Sequence, residues 1–558
     1  MEKNALELAK PTPAVIKVVD LFAGPGGLGE GLSSHPFFQI AVSAEMDSSA
    51  HATLRLRAFY RNLRRLGEDA VRPYFALCNG EHSPPRGKEP LSHWCERTKR
   101  AWAEACEEAL RLTLGEPESN AELDRAIKLR GIGPEEPWVL IGGPPCQAYS
   151  LVGRSRNKGK ADYKAEDDHR HFLYREYLRI IEENRPRVFV MENVKGILSS
   201  KVAGQQIFHR ILSDLADCGY RIHSLVTDTF FRRGDNPDDI DARDFIVRAE
   251  RYGIPQARHR VILLGVREDV CEAKGGDWRP PVLQEAVATV TVSEVIGDLP
   301  PLRSRISRGR DDEEMWEALL VNHCRDLAEQ AGSEKHGLYE VSGILRSICV
   351  RGDYPSGTEV VGLRYRPPVS CPESLAAWYS SNGAARQLHF FMNHEARGHM
   401  ESDLKRYVYA AAFAEARGSS PKGHDEFALD GLAPAHENWK SGKFADRFRV
   451  QLKDRPSTTV TSHISKDGHY FIHYDPAQCR SLTVREAARL QTFPDDYFFQ
   501  GNRTQQYHQV GNAVPPFLAA RIAEIVATLF DDVERQPNRV GKVSPDPIAK
   551  SLMRPAVA

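Results

Sequence analysis

A cysteine, a glutamate and two arginines stand at separate points of the chain where their chemistry could be combined. Cys146 follows an apolar run through the turn GGPP, and Glu192 ends the run RVFVM. Arg258 and Arg260 alternate at the start of a third apolar run and so share one side of it. A thiolate is a nucleophile, a carboxyl group can move a proton, and guanidinium groups stabilise anions. Together they would suit covalent catalysis.

Cys146 alone leaves other readings open, because a cysteine can also be a small buried hydrophobe, half of a disulfide or a metal ligand. The chain has 10 cysteines spread over 558 residues without a C-x-x-C pair or a dense cluster. That distribution favours reduced thiols over a disulfide framework, and no metal site is expected.

A second group of residues is typical of a nucleotide-like ligand. The apolar run from Val15 to Phe22 leads into a turn containing Gly24 and Gly26. Glu45 ends the next apolar run, 21 positions after Gly24, the spacing at which a carboxylate binds ribose hydroxyls. An adenosine-bearing cofactor fits such a turn as well as a dinucleotide does. A plain glycine turn beside a surface acid remains the alternative.

The elements that would position these residues alternate between strand and helix. Strands are predicted near residues 15–22, 40–44, 138–141 and 187–191, and a helix is predicted over 172–184. This alternation predicts an open parallel α/β sheet with a ligand crevice at the carboxyl edge. Residues 94–112 carry apolar positions at helical spacing within a long connection, which predicts a helical insertion with a packing role.

Length and charge bound the remaining possibilities. A chain of 558 residues predicts two or more domains. Its 75 basic and 76 acidic side chains give a formal charge of -1, so any polyanion site must be local. Three basic clusters could supply one: residues 55–65, 154–160 and 303–310. No signal peptide is recognised and no stretch is expected to span a membrane, which predicts a cytoplasmic protein.

Six ordered motifs make the chain resemble the DNA (cytosine-5-)-methyltransferase family. They are DLFAGPGG at 20–27, PPCQ at 144–147, ENV at 192–194, Q-x-R-x-R at 256–260, REAARLQ-x-FP at 485–494 and GNAVP at 511–515. The resemblance implies an α/β, Rossmann-like, S-adenosylmethionine-dependent methyltransferase sheet with a smaller, irregular target recognition domain inserted.

The resemblance also implies the division of the chain. The catalytic domain is expected over 1–272 with a helical insert at about 50–135, and the target recognition domain over 273–478. A return segment, 479–535, would complete the catalytic domain, and 536–558 would form a flexible tail. Ser481–Leu490 is predicted to be helical with a capping box between Thr483 and Glu486, and 516–530 is predicted to be the last helix.

Roles carried over from the family fall on individual residues. In the expected mechanism Cys146 bonds to carbon 6 of a flipped-out cytosine, Glu192 contacts ring nitrogen 3 and the exocyclic amine, and two arginines support the base and the loop. The implied catalytic residues are Cys146, Glu192, Arg258 and Arg260. Binding of S-adenosyl-L-methionine is implied for Phe22, Gly24, Gly26, Glu45, Met46, Pro145, Asn512 and Val514. Contacts with DNA are implied for Gln147, Ser150, Arg154, Arg156 and Lys158.

Two departures from the family pattern stand out. Ala148 and Tyr149 replace the commoner glycine and phenylalanine after PPCQ, and no acid is identifiable at the end of the third strand, where the family contacts the adenine amine. Asn79 is the candidate for that position.

The expected substrate is a specific sequence in double-stranded DNA, methylated by a monomer that serves a restriction-modification or phage-defence system. Methylation of tRNA and a DNA-binding regulator without catalysis are the alternatives. The long variable region favours DNA over tRNA, and the intact catalytic set argues against a regulator.

Overall fold

A nine-stranded sheet forms the centre of the protein. The computed structural model describes residues 15–145, 172–202, 205–309, 311–359, 363–434, 439 and 447–530. Its strands are β1 (Ile16–Leu21), β2 (Phe38–Glu45), β3 (Ala109–Arg111), β4 (Trp138–Gly142), β5 (Val188–Val194), β6 (Lys201–Val202), β7 (Gln205–Gln206), β8 (Tyr220–His223), β9 (Phe230–Phe231), β10 (Ile246–Arg248), β11 (Gln256–Ala257), β12 (His259–Arg267), β13 (Arg305–Ile306), β14 (Gly398–His399) and β15 (Ser457–Thr458).

The strand order of the nine-stranded sheet is β3-β2-β1-β4-β5-β12-β8-β9. Its ninth strand, β10, also pairs with β12. The first five strands are parallel, as expected from strands that alternate with helices. The predicted parallel arrangement is confirmed for these strands, whereas β12 runs antiparallel to both β5 and β8, so the sheet is mixed. The parallel half brings the carboxyl ends of β1, β2, β4 and β5 to one edge.

Helices cover the sheet and build the second part of the chain. They are α1 (Gly27–Ser33), α2 (Ser48–Arg65), α3 (Arg72–Cys78), α4 (Glu96–Glu108), α5 (Pro117–Leu129), α6 (Phe172–Asn184), α7 (Ile207–Asp217), α8 (Glu268–Ala273), α9 (Val292–Ile296), α10 (Glu313–Ala331), α11 (Tyr339–Arg351), α12 (Glu373–Tyr379), α13 (Glu401–Arg417), α14 (Gly423–Glu426), α15 (Val484–Leu490), α16 (Arg503–Asn512) and α17 (Pro516–Ala527). The predicted helix 172–184 is confirmed as α6.

The connection between β2 and β4 is only partly an insertion. It contains α2, the third strand β3 and α5, which are regular parts of the sheet layer, whereas α3 and α4 are additional. The prediction of a helix over 94–112 is therefore wrong at its end, where β3 pairs in parallel with β2. Phe59 of α2 stacks on Trp94 with 4.9 Å between ring centroids, so the added segment does pack as expected.

The return segment packs against the helices of the central sheet. α17 packs on α1, where Gly31 leaves room for Ala519 because a methyl group there would lie 2.3 Å from the alanine side chain. The capping box between Thr483 and Glu486 is confirmed at the start of α15. α10, α11 and α13 enclose a separate cluster of buried apolar side chains, which fits a second domain, although the boundaries given above stay a prediction.

One stretch, Arg503–Phe530, is long and apolar enough to cross a membrane on length and composition alone. In the apolar window of this stretch 83% is buried inside the protein. It is divided into α16 and α17 by Ala513 and the two residues that follow. These properties are those of core helices.

Candidate active site

The turn after β1 forms one side of the crevice. Phe22, Gly24 and Gly26 adopt positive φ angles of 57°, 58° and 98°, a backbone region that suits glycine and strains other residues. Gly26 also has no room for a side chain, because a methyl group would lie 2.8 Å from Leu54 and 3.0 Å from the Tyr497 hydroxyl. Two predicted glycines are thus required by local geometry.

Glu45 lies at the end of β2 and faces this turn. Its Oε2 accepts a hydrogen bond from the Gly24 N–H at 2.8 Å, and its Oε1 accepts one from the Asp47 N–H at 2.7 Å. Burial raises the pKa of Glu45, and the two backbone hydrogen bonds partly offset that rise. Each carboxylate oxygen keeps a further acceptor position, which two neighbouring hydroxyl groups could use.

The end of α16 closes the same side of the crevice. The Val514 carbonyl would lie 2.2 Å from a methyl group on Gly27, so the two backbones are in direct contact. Asn512 is exposed, and its amide contacts the His508 ring at 3.2 Å. Burial raises the pKa of Asp47, but hydrogen bonds from Ser49 and Ala50 and then the neighbouring His508 outweigh it, so the pKa is lowered. His508 therefore belongs to this rim, although its sequence context did not single it out.

Two more residues predicted to bind the cofactor lie at the crevice. Met46 follows Glu45 and is 59% exposed, which leaves its side chain accessible to a ligand. Pro145 is half-buried in the turn that follows β4.

The Glu192 carboxylate contacts the turn that leads to Cys146. A methyl group on Gly143 would lie 3.0 Å from Glu192 Oε2. The neighbouring Asn193 donates from Nδ2 to the Pro144 carbonyl at 3.2 Å. Glu192 and Asn193 thus lie against two successive residues of the GGPP turn, so the carboxyl ends of β4 and β5 meet, as expected from parallel neighbours.

Arg260 supplies the charge partner of Glu192. Its Nε lies 2.7 Å from Glu192 Oε1, and both side chains are largely buried. The register explains the contact, because Arg260 pairs with Val194 and Ile262 pairs with Glu192, which makes the arginine and the glutamate diagonal neighbours on one face. Both residues were predicted to be catalytic; their side chains are in contact, and their catalytic roles stay predictions.

Arg258 has different contacts from Arg260. It donates from Nη1 to the Val460 carbonyl at 2.8 Å, and both Nη atoms lie 3.4 Å from the Gly511 carbonyl. Burial, and then the charge of Arg260, lowers the pKa of Arg258. Arg258 therefore joins the start of β12 to Val460 and to the last turn of α16 rather than to Glu192.

Gln256 makes the same junction. Its side chain accepts from the Val460 N–H at 2.9 Å and donates to the Leu490 carbonyl at 3.1 Å. Gln256 belongs to the Q-x-R-x-R motif, but no local pattern in the sequence indicates partners that are more than 200 positions away.

Several predicted site residues lie outside the residues that the structure describes. These are Cys146 and the predicted DNA contacts Gln147, Ser150, Arg154, Arg156 and Lys158. Their assignments stay predictions, as does the basic cluster 154–160 that contains three of them.

The basic cluster 55–65 is neither a solvated face nor a polyanion site. Arg57 pairs with Glu30 at 2.6 Å and with Asp496 at 3.1 Å, and Arg61 pairs with Glu108 at 2.5 Å. Arg57 and Arg61 are buried, and their ion pairs tie α2 to α1, to the end of α4 and to the return segment. In the cluster 303–310, Arg303 is likewise buried and pairs with Asp311 at 2.7 Å.

Asn79 does not lie at the end of the third strand. It ends α3, where its Oδ1 accepts from the His389 N–H at 2.8 Å and its Nδ2 donates to the Gln387 carbonyl at 3.0 Å. The prediction of Asn79 as the adenine contact is therefore wrong. The third strand is β3, which the helical spacing of 94–112 concealed.

The strand order, the glycine turn after β1 and the acid at the end of β2 define a Rossmann-like sheet of the kind used by S-adenosylmethionine-dependent methyltransferases. A family model described as C-5 cytosine-specific DNA methylase matches residues 122–527.

Similarity to curated relatives extends over more of the chain than the family model does. Type II methyltransferase M.Bpa9945I of Bacillus paralicheniformis is 33% identical over 528 residues, covering 92% of this chain and 99% of the relative. Type II methyltransferase M.AgeI of Thalassovita gelatinovora is 26% identical over 524 residues, with the same coverage of 92% and 99%. The chain belongs to the C-5 cytosine-specific DNA methylase family. The predicted family, fold class and enzyme class are thereby confirmed.

Proposed function

We propose that the protein transfers a methyl group from S-adenosyl-L-methionine to carbon 5 of a flipped-out cytosine within a specific sequence of double-stranded DNA. The observation that carries this proposal is the meeting of Glu192 with Gly143 and Arg260. A buried carboxylate paired with a guanidinium stands against the turn that delivers Cys146. The crevice that suits an adenosine-bearing methyl donor lies at the same edge of the sheet.

The residues of the donor side fit S-adenosyl-L-methionine. Glu45 retains acceptor positions for the two ribose hydroxyls, and exposed Met46 offers an apolar surface for the adenine ring. Phe22, Gly24 and Gly26 would line the donor through the open backbone of their turn. Pro145, Asn512 and Val514 would complete the pocket. When bound, the donor supplies an electrophilic methyl group on a sulfonium centre.

Cys146 would be the nucleophile. Carbon 5 of cytosine is a weak nucleophile until the thiolate adds to carbon 6, which turns the ring into an enamine. Carbon 5 then takes the methyl group, and loss of the carbon 5 proton expels the thiolate and restores the aromatic ring. The thiol must ionise for the first step, and nearby guanidinium groups favour the thiolate.

Glu192 would control the charge on the ring during this cycle. Addition at carbon 6 pushes electron density onto ring nitrogen 3, where a carboxyl group can supply a proton or a hydrogen bond. Arg260 lies 2.7 Å from the carboxylate and fixes its position. Arg258 would act through the backbone at Val460 and Gly511, which makes it a positioning residue.

A stacked base cannot reach this crevice, so the cytosine must leave the duplex. Phosphate contacts from Gln147, Ser150, Arg154, Arg156 and Lys158 would hold the opened DNA and would weaken with salt. The second domain, with its own core around α10, α11 and α13, would read the sequence.

Transfer of tritiated methyl groups to duplex DNA tests the proposal, with tRNA as the competing substrate. Duplex methylation should be lost in Cys146→Ala and retained in Cys95→Ser, a matched change at an exposed cysteine. A duplex with 5-fluorocytosine at the target should trap wild-type protein covalently, since fluorine cannot leave as a proton does. Methyl transfer by Cys146→Ala, or transfer to tRNA alone, would contradict the proposal.

The biological role proposed is self-marking of host DNA in the cytoplasm by a monomer, within a restriction-modification or phage-defence system. Its support is the naming of the curated relatives as type II methyltransferases. Bisulfite sequencing of DNA from a host that expresses the chain should reveal one methylated sequence. Methylation without sequence preference would contradict this role.

A further inference from the structure

The end of β3 has no carboxylate where the family places an acid beside the adenine amine. Residues 109–115 read ALRLTLG, and the first acid after β3 is Glu116, which is exposed at the start of α5. β3 is nevertheless the neighbour of β2, with Arg111 in register with Glu45. The position that faces adenine in the proposed donor site must therefore be filled by another residue.

Alternation along β3 identifies the side chains that face the crevice. Leu110, Leu112 and Leu114 are buried together in the core on one face of the sheet. Arg111 and Thr113 consequently lie on the opposite face, the one that Glu45 shares through the register. Strand pairing extends one residue further, since the Leu112 N–H donates to the Glu45 carbonyl at 3.1 Å. Thr113 is the first residue beyond that pairing.

The backbone around Thr113 is held firmly. Its N–H donates to Ser119 Oγ at 3.2 Å, and its carbonyl accepts from the Glu116 N–H at 3.1 Å. Thr113 itself is half-buried. These bonds fix the position of the side chain at the strand end without using its hydroxyl group.

Chemistry selects Thr113 over its neighbours. An amine needs an acceptor, and arginine, leucine, alanine and glycine side chains have none. Arg111 instead reaches the Met46 carbonyl with Nε at 3.5 Å, which places its guanidinium beside the exposed methionine. Thr113 carries the only side-chain acceptor between β3 and Glu116.

We infer that Thr113 binds the adenine amine of the methyl donor through its hydroxyl group, in place of the carboxylate of the family. This inference rests on the proposed function. A hydroxyl group can rotate to donate or accept, whereas a carboxylate only accepts. The donor site should consequently tolerate loss of the adenine amine far better than a site with an acid.

Binding of two ligands by titration calorimetry tests the inference without using activity. One ligand is S-adenosyl-L-homocysteine, and the other is its analogue with purine in place of adenine, which lacks only the amine. For wild-type protein the analogue should bind about 3- to 10-fold more weakly, as expected for one neutral hydrogen bond. Thr113→Val should reduce this ratio to about 2 or less, and Thr113→Ser should retain it.

The reverse substitution sharpens the test. Thr113→Asp should raise the ratio of the two affinities at least about 10-fold, because the analogue would leave a carboxylate unpaired. Glu116→Gln is the matched control at the nearest acid and should leave the ratio unchanged. A ratio that stays at the wild-type value in Thr113→Val, or that collapses in Glu116→Gln, would overturn the inference. Failure of wild-type protein to bind S-adenosyl-L-homocysteine at all would instead overturn the proposed function.

Discussion

The two sides of the crevice are held together by different kinds of contact. On the donor side, comprising 22–27, 45–47 and 513–514, the contacts are backbone groups that meet Glu45 or one another. On the target side, comprising Glu192, Arg258 and Arg260, the contacts are made by charged side chains. The donor side therefore depends on close backbone approach, and the target side depends on charge and on segments far away in the sequence.

This difference predicts separate sensitivities. A substitution that removes charge on the target side should slow the chemistry without changing donor affinity, because its carboxylate is used only when cytosine reacts. A substitution that adds volume on the donor side should instead separate α1 from the return segment and weaken donor binding and folding together.

The largest effect is expected for Glu192→Gln. The amide retains the shape but cannot supply a proton to the ring, so the rate of methyl transfer in a single turnover should fall about 1000-fold. Affinity for S-adenosyl-L-homocysteine should change by less than about 3-fold. Glu250→Gln is a matched control, because Glu250 also pairs with a residue of β12, at 2.7 Å from His259. A comparable loss of donor affinity in Glu192→Gln would break the separation between the two sides.

Gly27→Ala should produce the next largest effect. The new methyl group would lie 2.2 Å from the Val514 carbonyl, so α1 and the chain after α16 must separate. Overpacking of this kind costs about 3 kcal/mol, and donor affinity should fall with it. The measurements are urea unfolding and calorimetric binding.

Gly343→Ala in α11 is the control for this change. No atom lies within 4 Å of a methyl group at that position, so the helix should gain up to about 1 kcal/mol. Equal stability of the two variants would show that the backbone contact at Gly27 does not matter.

Asp20 gives the donor side a pH dependence. It is buried below the glycine turn, and neither carboxylate oxygen has a hydrogen-bond partner among the described residues. Burial raises the pKa of Asp20 to about 8, against the opposing charge of Arg61. Between about pH 4 and pH 8 the folded protein therefore keeps a proton that the unfolded chain has released, and stability falls as pH rises through this range.

Asp20→Asn should remove this dependence, because an amide stays neutral. From pH 6 to pH 8 wild-type protein should lose about 2 to 3 kcal/mol of unfolding free energy relative to the variant. Urea unfolding across that range measures the difference. Parallel pH profiles for the two proteins would mean that Asp20 is already ionised in the folded state at pH 6.

The same contrast explains what the sequence could reveal. Gly24, Gly26 and Glu45 belong to one strand-turn-helix-strand unit, so spacing along the chain was sufficient to propose them for one ligand site, and the structure adds the hydrogen bond between Gly24 and Glu45. Glu192 and Arg260 were predicted because both lie at the ends of apolar runs and match the family. The partners of Arg258, however, are backbone carbonyls 202 and 253 positions away, and no local pattern carries such information.

Two errors have physical causes of the same kind. The arginines of 55–65 were a candidate polyanion site because the acids that pair with them, Glu30, Glu108 and Asp496, come from three distant segments. β3 was overlooked because a strand of three residues directly follows α4 and continues its apolar spacing. Short strands and buried ion pairs are defined by tertiary contacts, and local periodicity does not detect them.

The smallest effect is expected at the cap of α15, which supports the target side indirectly. Thr483 Oγ1 accepts from the Glu486 N–H at 3.1 Å and contacts His394 Nδ1 at 2.9 Å. α15 ends at Leu490, whose carbonyl anchors Gln256 at 3.1 Å, two residues before Arg258. Loss of the cap in Thr483→Ala should cost about 1 kcal/mol of stability, and Thr483→Ser should restore it.

Because the anchored segment belongs to the target side, Thr483→Ala should lower the rate of methyl transfer about 2- to 3-fold and leave the affinity for S-adenosyl-L-homocysteine unchanged. A loss of donor affinity equal to the loss of rate would show that α15 supports both sides equally. The cap would then join the two sides, and the contrast between them would hold only for the residues that line the crevice.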